Sequence, residues 1–199
     1  MDDKAKSRQY FNRHSITGMN RNGYWSHDYH VTAEKIIEAG GKNHIDIGCG
    51  NGAFLAYLQE KAPSLSLSGL DYSEEMVRQS RKRIPEAMLK EGDAEDMPLP
   101  GDGFDSVSCH MSIHHYPHPE KALAEMHRIL REGGMVLIND LTGPVWLVRC
   151  MNFLFRYLKT GDHAVYTRAE MEGMMKKAGF CKVESQMVTP FTYVCTGIR

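Results

Sequence analysis

The stretch His44-Ile45-Asp46-Ile47-Gly48-Cys49-Gly50-Asn51-Gly52 constrains this chain more than any other part of its sequence. A short apolar run enters a turn with a glycine at every second position. Behind it, Phe54, Leu55 and Leu58 repeat at helical spacing. Strand, sharp bend and helix are the opening half of a βαβ unit. Glycine removes the Cβ where a backbone turns sharply and where a ligand comes close. In an open α/β sheet, ligands sit beyond the carboxyl ends of the strands, where this bend falls.

The alternation continues after the bend. Strands are predicted at His44–Ile47, Leu65–Leu70, Ala87–Lys90, Phe104–Cys109 and Met135–Asn139. Between them, Met76, Val77, Ser80 and Ile84 make one helical face, with Ser73 as its cap and Glu74 and Glu75 at its positive end. Pro119 suits a first helical position, and Ala122, Leu123, Met126, Ile129 and Leu130 form the stripe behind it. Gly133 and Gly134 are expected to stop that helix. Thr167 and Glu170 read as a capping box before Met171, Met174 and Met175, which read as core. The tail from Phe180 to Ile198 reads as two strands around Thr189-Pro190. Two segments break the pattern. One is the polar and aromatic N-terminal arm, whose Tyr10, Phe11, Tyr24 and Trp25 are either a lid or an anchor. The other is the apolar Pro144–Leu158, expected as a helix over the strand ends.

Composition narrows the function. The 199 residues suit one domain, divided as 1–41 (cap and first helix), 42–140 (ligand-binding core), 141–166 (apolar cover) and 167–199 (last helix and terminal strands). Lys+Arg is 24 against Asp+Glu 25, so there is no broad basic field and no nucleic-acid partner is expected. No apolar run approaches the roughly 20 residues that span a bilayer, and Met1–Ser15 has no secretory core. Five scattered cysteines with no CxxC pair predict a reducing, cytoplasmic setting. With no HExxH motif either, no metal is expected.

The residues after the strands suggest the ligand. Gly48 to Ala53 satisfies the dinucleotide pattern G-x-G-x-x-A, so an NAD-dependent oxidoreductase is one reading. Asp46 opposes it. A carboxylate at the mouth of the bend repels a pyrophosphate, by roughly 1–4 kcal/mol for unit charges about 4 Å apart. Asp71, about 20 residues beyond the bend, suits both hydroxyls of a ribose. Asp93, in Glu91-Gly92-Asp93-Ala94-Glu95 after the third strand, suits an exocyclic amine such as adenine N6. A nucleoside with a cation and no phosphate fits all three acids, and S-adenosylmethionine is such a molecule.

With DIGCGNG at Asp46–Gly52, LDYSEEMV at Leu70–Val77, EGDAEDMPL at Glu91–Leu99, FDSVSCHMSIHH at Phe104–His115 and LREGGMVLI at Leu130–Ile138, the sequence resembles the class I S-adenosylmethionine-dependent methyltransferases. The resemblance is to their small-molecule branch, which includes the ubiquinone and menaquinone C-methyltransferases. It implies a doubly wound, mostly parallel seven-stranded Rossmann-like sheet with helices on both faces and a terminal antiparallel strand. It also implies that Asp46, Gly48, Gly50 and Gly52 border the methionine moiety. Asp71 would hold the ribose, Tyr72 and Met76 would lie by the adenine, Asp93 and Ala94 would contact the base, and His110 would line the cofactor. His114 and His115, beyond the fourth strand, are candidate catalytic or substrate-contacting residues; their bland reading is exposed or cap-forming histidines. Trp146, Phe153, Phe155 and Tyr157 point to a small apolar or aromatic acceptor. A non-catalytic scaffold of the same fold is the third reading, and the acceptor atom and oligomeric state stay open.

Overall fold

A strand covered on both faces has no polar side to present, so it reads as a continuous apolar run. A computed structural model, which describes residues 26–199 apart from 156, 159 and 160, shows that this is why the central strands form. In β5 (Leu130–Leu141), Val136 and Ile138 enter one apolar layer and Leu137 enters the other, all fully buried. The antiparallel neighbour β7 (Thr192–Ile198) does the same with Tyr193 and Cys195 against Val194.

The remaining strands are β1 (Asn43–Ile47), β2 (Ser66–Asp71), β3 (Met88–Glu91), β4 (Phe104–His110) and β6 (Cys181–Thr189). Their order is β3-β2-β1-β4-β5-β7-β6. The first five pair in parallel, and β7 runs antiparallel to both of its neighbours. The chain winds outward from β1 to β3 and then returns to β4 on the other side of β1. That reversal leaves a crevice beyond the carboxyl ends of β1 and β4.

Helices cover both faces. Ala33 and Ile36 of α1 (Ser26–Ala39) join Phe54, Leu55 and Leu58 of α2 (Ala53–Lys61) in one layer. Ile84, which ends α3 (Glu74–Arg83), lies in that layer too. Ala122, Leu123, Met126 and Ile129 of α4 (Pro119–Ile129) share the other layer with Met171 and Met175 of α6 (Arg168–Lys177). The caps are as the sequence predicts: Ser73 Oγ accepts from the Met76 N–H, Pro119 opens α4, and Thr167 with Glu170 forms a capping box.

One expectation is corrected. Gly133 and Gly134 do not stop α4. The helix ends at Ile129, and Leu130 is already extended, because its fully buried side chain belongs in the core. The glycines instead form an irregularity inside β5. The pairing with β4 slips between Phe104↔Leu130 and Ser106↔Met135, and the Gly133 N–H donates to the Arg199 carbonyl. The apolar segment forms a helix as expected, α5 (Val145–Phe155), but it does not bury its aromatic side chains. Val148 packs inward and Asn152 exchanges two hydrogen bonds with the Val165 backbone, whereas Trp146 and Tyr157 stay 67% and 72% exposed. The arm aromatics Tyr10, Phe11, Tyr24 and Trp25 lie outside the described residues.

The capping box gives a direct test. Thr167→Ala removes a side-chain acceptor at an exposed helix start and is expected to cost about 1 kcal/mol. For a chain of this size that lowers Tm by roughly 2–4 °C in a thermal melt. An unchanged melt would mean that α6 does not depend on its cap.

Candidate active site

The bend is folded back onto β2: the N–H groups of Gly48 and Cys49 both donate to the Leu70 carbonyl, at 2.8 and 3.1 Å. Gly48 has φ 75°, and a Cβ there would lie 1.9 Å from Ser112 Oγ and 2.7 Å from Tyr116 Oη. It is glycine because the turn after β4 packs against it. Gly50 has φ 51°, and a Cβ there would meet nothing within 4 Å. The left-handed backbone favours glycine there, and the open space beside it leaves room for a ligand to approach. Gly52 precedes α2 and lies against Ser80 of α3.

Asp71 ends β2 beside this bend. Its Oδ2 accepts from the Gly50 N–H and its Oδ1 from the Ser73 N–H, both at 2.8 Å. Enclosure by the protein raises its pKa to about 6 against the pull of these two donors. A carboxylate has about four lone-pair sites, so two such bonds fix it and leave acceptor capacity over. Met76 is half-buried and Tyr72 more open along the start of α3. The Gly92 N–H donates to the Asp71 carbonyl, which brings the turn after β3 alongside. In that turn Asp93 Oδ1 accepts from the Glu95 N–H, so Asp93 shapes its own loop, and Ala94 packs into the core.

Asp46 is not the open carboxylate that the sequence suggests. It is 1% exposed, within β1 under the bend, because the strand has protein on both faces. Ser108 Oγ donates to its Oδ1 at 2.6 Å, and His44 Nε2 lies 3.1 Å from the same hydroxyl. His44 Nδ1 reaches Ser106 Oγ at 2.8 Å. Burial, with the nearby Asp71, raises the Asp46 pKa to about 8 against the Ser108 bond. The acid is thus mostly protonated near neutrality, and a ligand cation would draw it back to the charged form.

His110, the last residue of β4, stacks on Phe54 at 5.1 Å and meets Tyr29 edge-on at 4.7 Å. Burial lowers its pKa to about 4. Its Nε2 is buried with no hydrogen-bond partner among the described residues, a deficit of roughly 1–3 kcal/mol that a ligand group can relieve. Tyr29 comes from α1, outside the motifs that mark the site in the sequence. The spacing of Tyr29, Ala33 and Ile36 marks an inward stripe that placed it here. Burial, with Asp46 nearby, raises its pKa to about 12. Bare backbone at Gly50, spare acceptor capacity on Asp71 and the unmatched nitrogen of His110 fit a nucleoside with a cationic group.

The two other histidines lie in the 3-10 turn Ile113–His115, packed against the bend through the Ser112–Tyr116 hydroxyl pair at 3.0 Å. They are not exposed. His114 Nδ1 is 2.5 Å from Asp140 Oδ1 at the end of β5, and its N–H donates to Asp140 Oδ2. Burial pushes the His114 pKa down, but Asp140 overrides it and the net shift is upward. His115 Nδ1 is 3.0 Å from Asp162 Oδ1. Neither Asp140 nor Asp162 stands in a local motif that would have marked it in the sequence.

Residues 45–138 match the model of a methyltransferase domain family. The matched stretch runs from β1 into β5 and holds the bend, Asp71 and Asp93. A Mycobacterium ulcerans phthiotriol/phenolphthiotriol dimycocerosates methyltransferase is 36% identical over 115 residues, 57% of this chain and 42% of that protein. The match thus spans less than half of that relative. A Thermus thermophilus demethylmenaquinone methyltransferase is 27% identical over 168 residues, covering 72% of this chain and 76% of that one. A Haloferax volcanii methyltransferase solved with the Trm112 methyltransferase activator shares the fold with TM-score 0.80 at 19% identity, over 99% of this chain and 97% of that one.

The buried Asp46 has a consequence for stability. Its folded pKa, about 8, lies above the ordinary 3.8, so the folded protein holds the proton more tightly than the unfolded chain. That contribution is complete below about pH 4 and is lost as pH rises through about 8. Asp46→Asn removes it. Denaturant midpoints measured from pH 5 to pH 9 should fall less steeply for the variant than for the parent. Parallel curves would mean that the acid is not buried as described.

Proposed function

We propose that this chain transfers the methyl group of S-adenosylmethionine to a small apolar or aromatic acceptor and releases S-adenosylhomocysteine. The observation that carries this reading is the meeting of Asp46 and Asp71 around a bend whose backbone is bare at Gly50. Such a site favours a ribose and a cation. A diphosphate brings no cation to Asp46, which then stays neutral and contributes nothing to binding, and this argues against the NAD reading.

Each residue then has a role. Asp71, pinned by two N–H donors, takes the ribose hydroxyls with its remaining lone pairs. Tyr72 and Met76 flank the adenine, and Asp93 and Ala94 border its edge. Asp46, Gly48, Gly50, Gly52 and His110 enclose the methionine end. When bound, S-adenosylmethionine supplies a methyl group already activated by its positive sulfur. The protein's task is alignment and exclusion of water, and alignment of this kind contributes roughly 7–11 kcal/mol. His114, held by Asp140, and His115 are the acceptor-side residues and orient the reacting atom.

Residues 42–140 serve as the cofactor core, 1–41 as its cap, 141–166 as the acceptor side and 167–199 as the closing helix and strands. Trp146, Phe153 and Tyr157, exposed on and beyond α5, offer apolar area that an acceptor can cover. The Thermus thermophilus relative is named for demethylmenaquinone, in keeping with an apolar, aromatic acceptor. Among the described residues no helix is long and apolar enough to cross a membrane.

A thermal-shift series tests the cofactor, and a turnover assay tests the reaction. At 100 times the dissociation constant a ligand adds about 2.7 kcal/mol, which here raises Tm by roughly 5–10 °C. S-adenosylmethionine and S-adenosylhomocysteine should both do so, and NAD should not. Release of S-adenosylhomocysteine should follow on adding apolar aromatic acceptors. A shift with NAD alone would overturn the reading. Binding with turnover of highly charged acceptors only would overturn the apolar part.

A further inference from the structure

His114, His115 and Asp162 bring two ring nitrogens and a carboxylate oxygen together, with all three donor atoms within 4.8 Å of one another. Asp162 Oδ1 is 3.0 Å from His115 Nδ1 and 3.7 Å from His114 Nε2. Ligand bonds of roughly 2.1 Å to one ion separate neighbouring donor atoms by about 3.0 Å at right angles and about 3.4 Å in a tetrahedron. The two separations from Asp162, 3.0 and 3.7 Å, are already near that spacing. The other nitrogen of His114 completes the pattern. Its Nδ1 is 2.5 Å from Asp140 Oδ1, so the ring is oriented with Nε2 toward Asp162. A metal-bound histidine characteristically donates its second ring N–H to a carboxylate in this way. The loop that carries Asp162 is tied to the turn, since the His163 and Ala164 N–H groups both donate to the His114 carbonyl, at 2.8 and 3.1 Å.

We propose that His114, His115 and Asp162 bind one divalent first-row transition-metal ion. Two imidazoles and one carboxylate suit such an ion better than magnesium or calcium, which prefer all-oxygen shells. Three protein ligands also leave coordination positions open, unlike a closed structural site. Those positions can take an oxygen donor of the methyl acceptor. This use rests on the proposed function; the binding of the ion does not. The ligands come from a turn after β4 and a loop after α5 and form no local motif.

The test uses the full chain, stripped with EDTA and titrated with Co2+ and Zn2+ by calorimetry and visible absorption. The expected result is one ion per chain and a cobalt d–d spectrum without a thiolate charge-transfer band. Asp140→Asn should weaken binding about 10–100-fold, and Asp162→Asn or His115→Ala at least as much. His30→Ala, at an exposed histidine beside Glu34, should bind like the parent. Unfolding curves are recorded for every variant. If a histidine variant does not fold, Asp162→Asn, in the loop, decides. Absence of stoichiometric binding overturns the proposal, as does binding unchanged in Asp162→Asn or a thiolate band marking the exposed Cys150 or Cys181. S-adenosylhomocysteine binding by the stripped protein is measured separately. Its loss would count against the methyl-transfer reading and leave the ion site standing.

Discussion

An acid buried inside a parallel sheet governs the rest of this molecule. Asp46 sits in β1 with protein on both faces, and water does not reach it. An ionised carboxylate in such a place is costly unless it is hydrogen-bonded or paired. Ser108 supplies one bond, and His44 and Ser106 extend the contact into a buried polar chain across β1 and β4. The chain does not offset the burial, so the acid keeps its proton near neutrality. The empty protein therefore avoids a buried charge, and a ligand cation is what makes the charged form favourable. Selectivity and fold stability are two sides of one arrangement.

The crevice joins this arrangement to a second one. Gly48 lacks a side chain because Ser112 and Tyr116 pack where a Cβ would be. The same turn carries His114 and His115, which Asp140 and Asp162 hold from β5 and from the loop after α5. The bend and the histidine cluster thus share a wall, and a movement in the turn 112–116 is felt by both. Such a shared wall would let a domain hold two reactants in a fixed alignment.

Much of this was legible in the sequence wherever the signal is local. Ser73, Pro119 and the Thr167–Glu170 box announce helix starts through their own backbone bonding, and the central strands announce themselves as apolar runs. Asp71 and Asp93 were legible as carboxylates at or just beyond strand ends. What stayed hidden is set by distant parts of the chain. Leu130 ends its helix early because the core claims its side chain, which leaves Gly133 and Gly134 to shape a strand irregularity. The aromatic residues of α5 read as a cover, yet one buried valine and one asparagine suffice to seat the helix. Asp46 read as an open carboxylate because sequence shows position along a strand and not depth. Asp140 and Asp162 reach the site by tertiary folding alone.

The most direct test of the central claim counts protons. S-adenosylmethionine binding is measured by calorimetry near pH 7 in buffers of different ionisation enthalpy. A buried acid with a pKa of about 8 that loses its proton to meet a cation releases close to one proton per ligand bound. S-adenosylhomocysteine, which lacks the sulfonium charge, should release fewer, and Asp46→Asn should release fewer with either ligand. Heats that do not depend on the buffer, or proton uptake in place of release, would contradict the account.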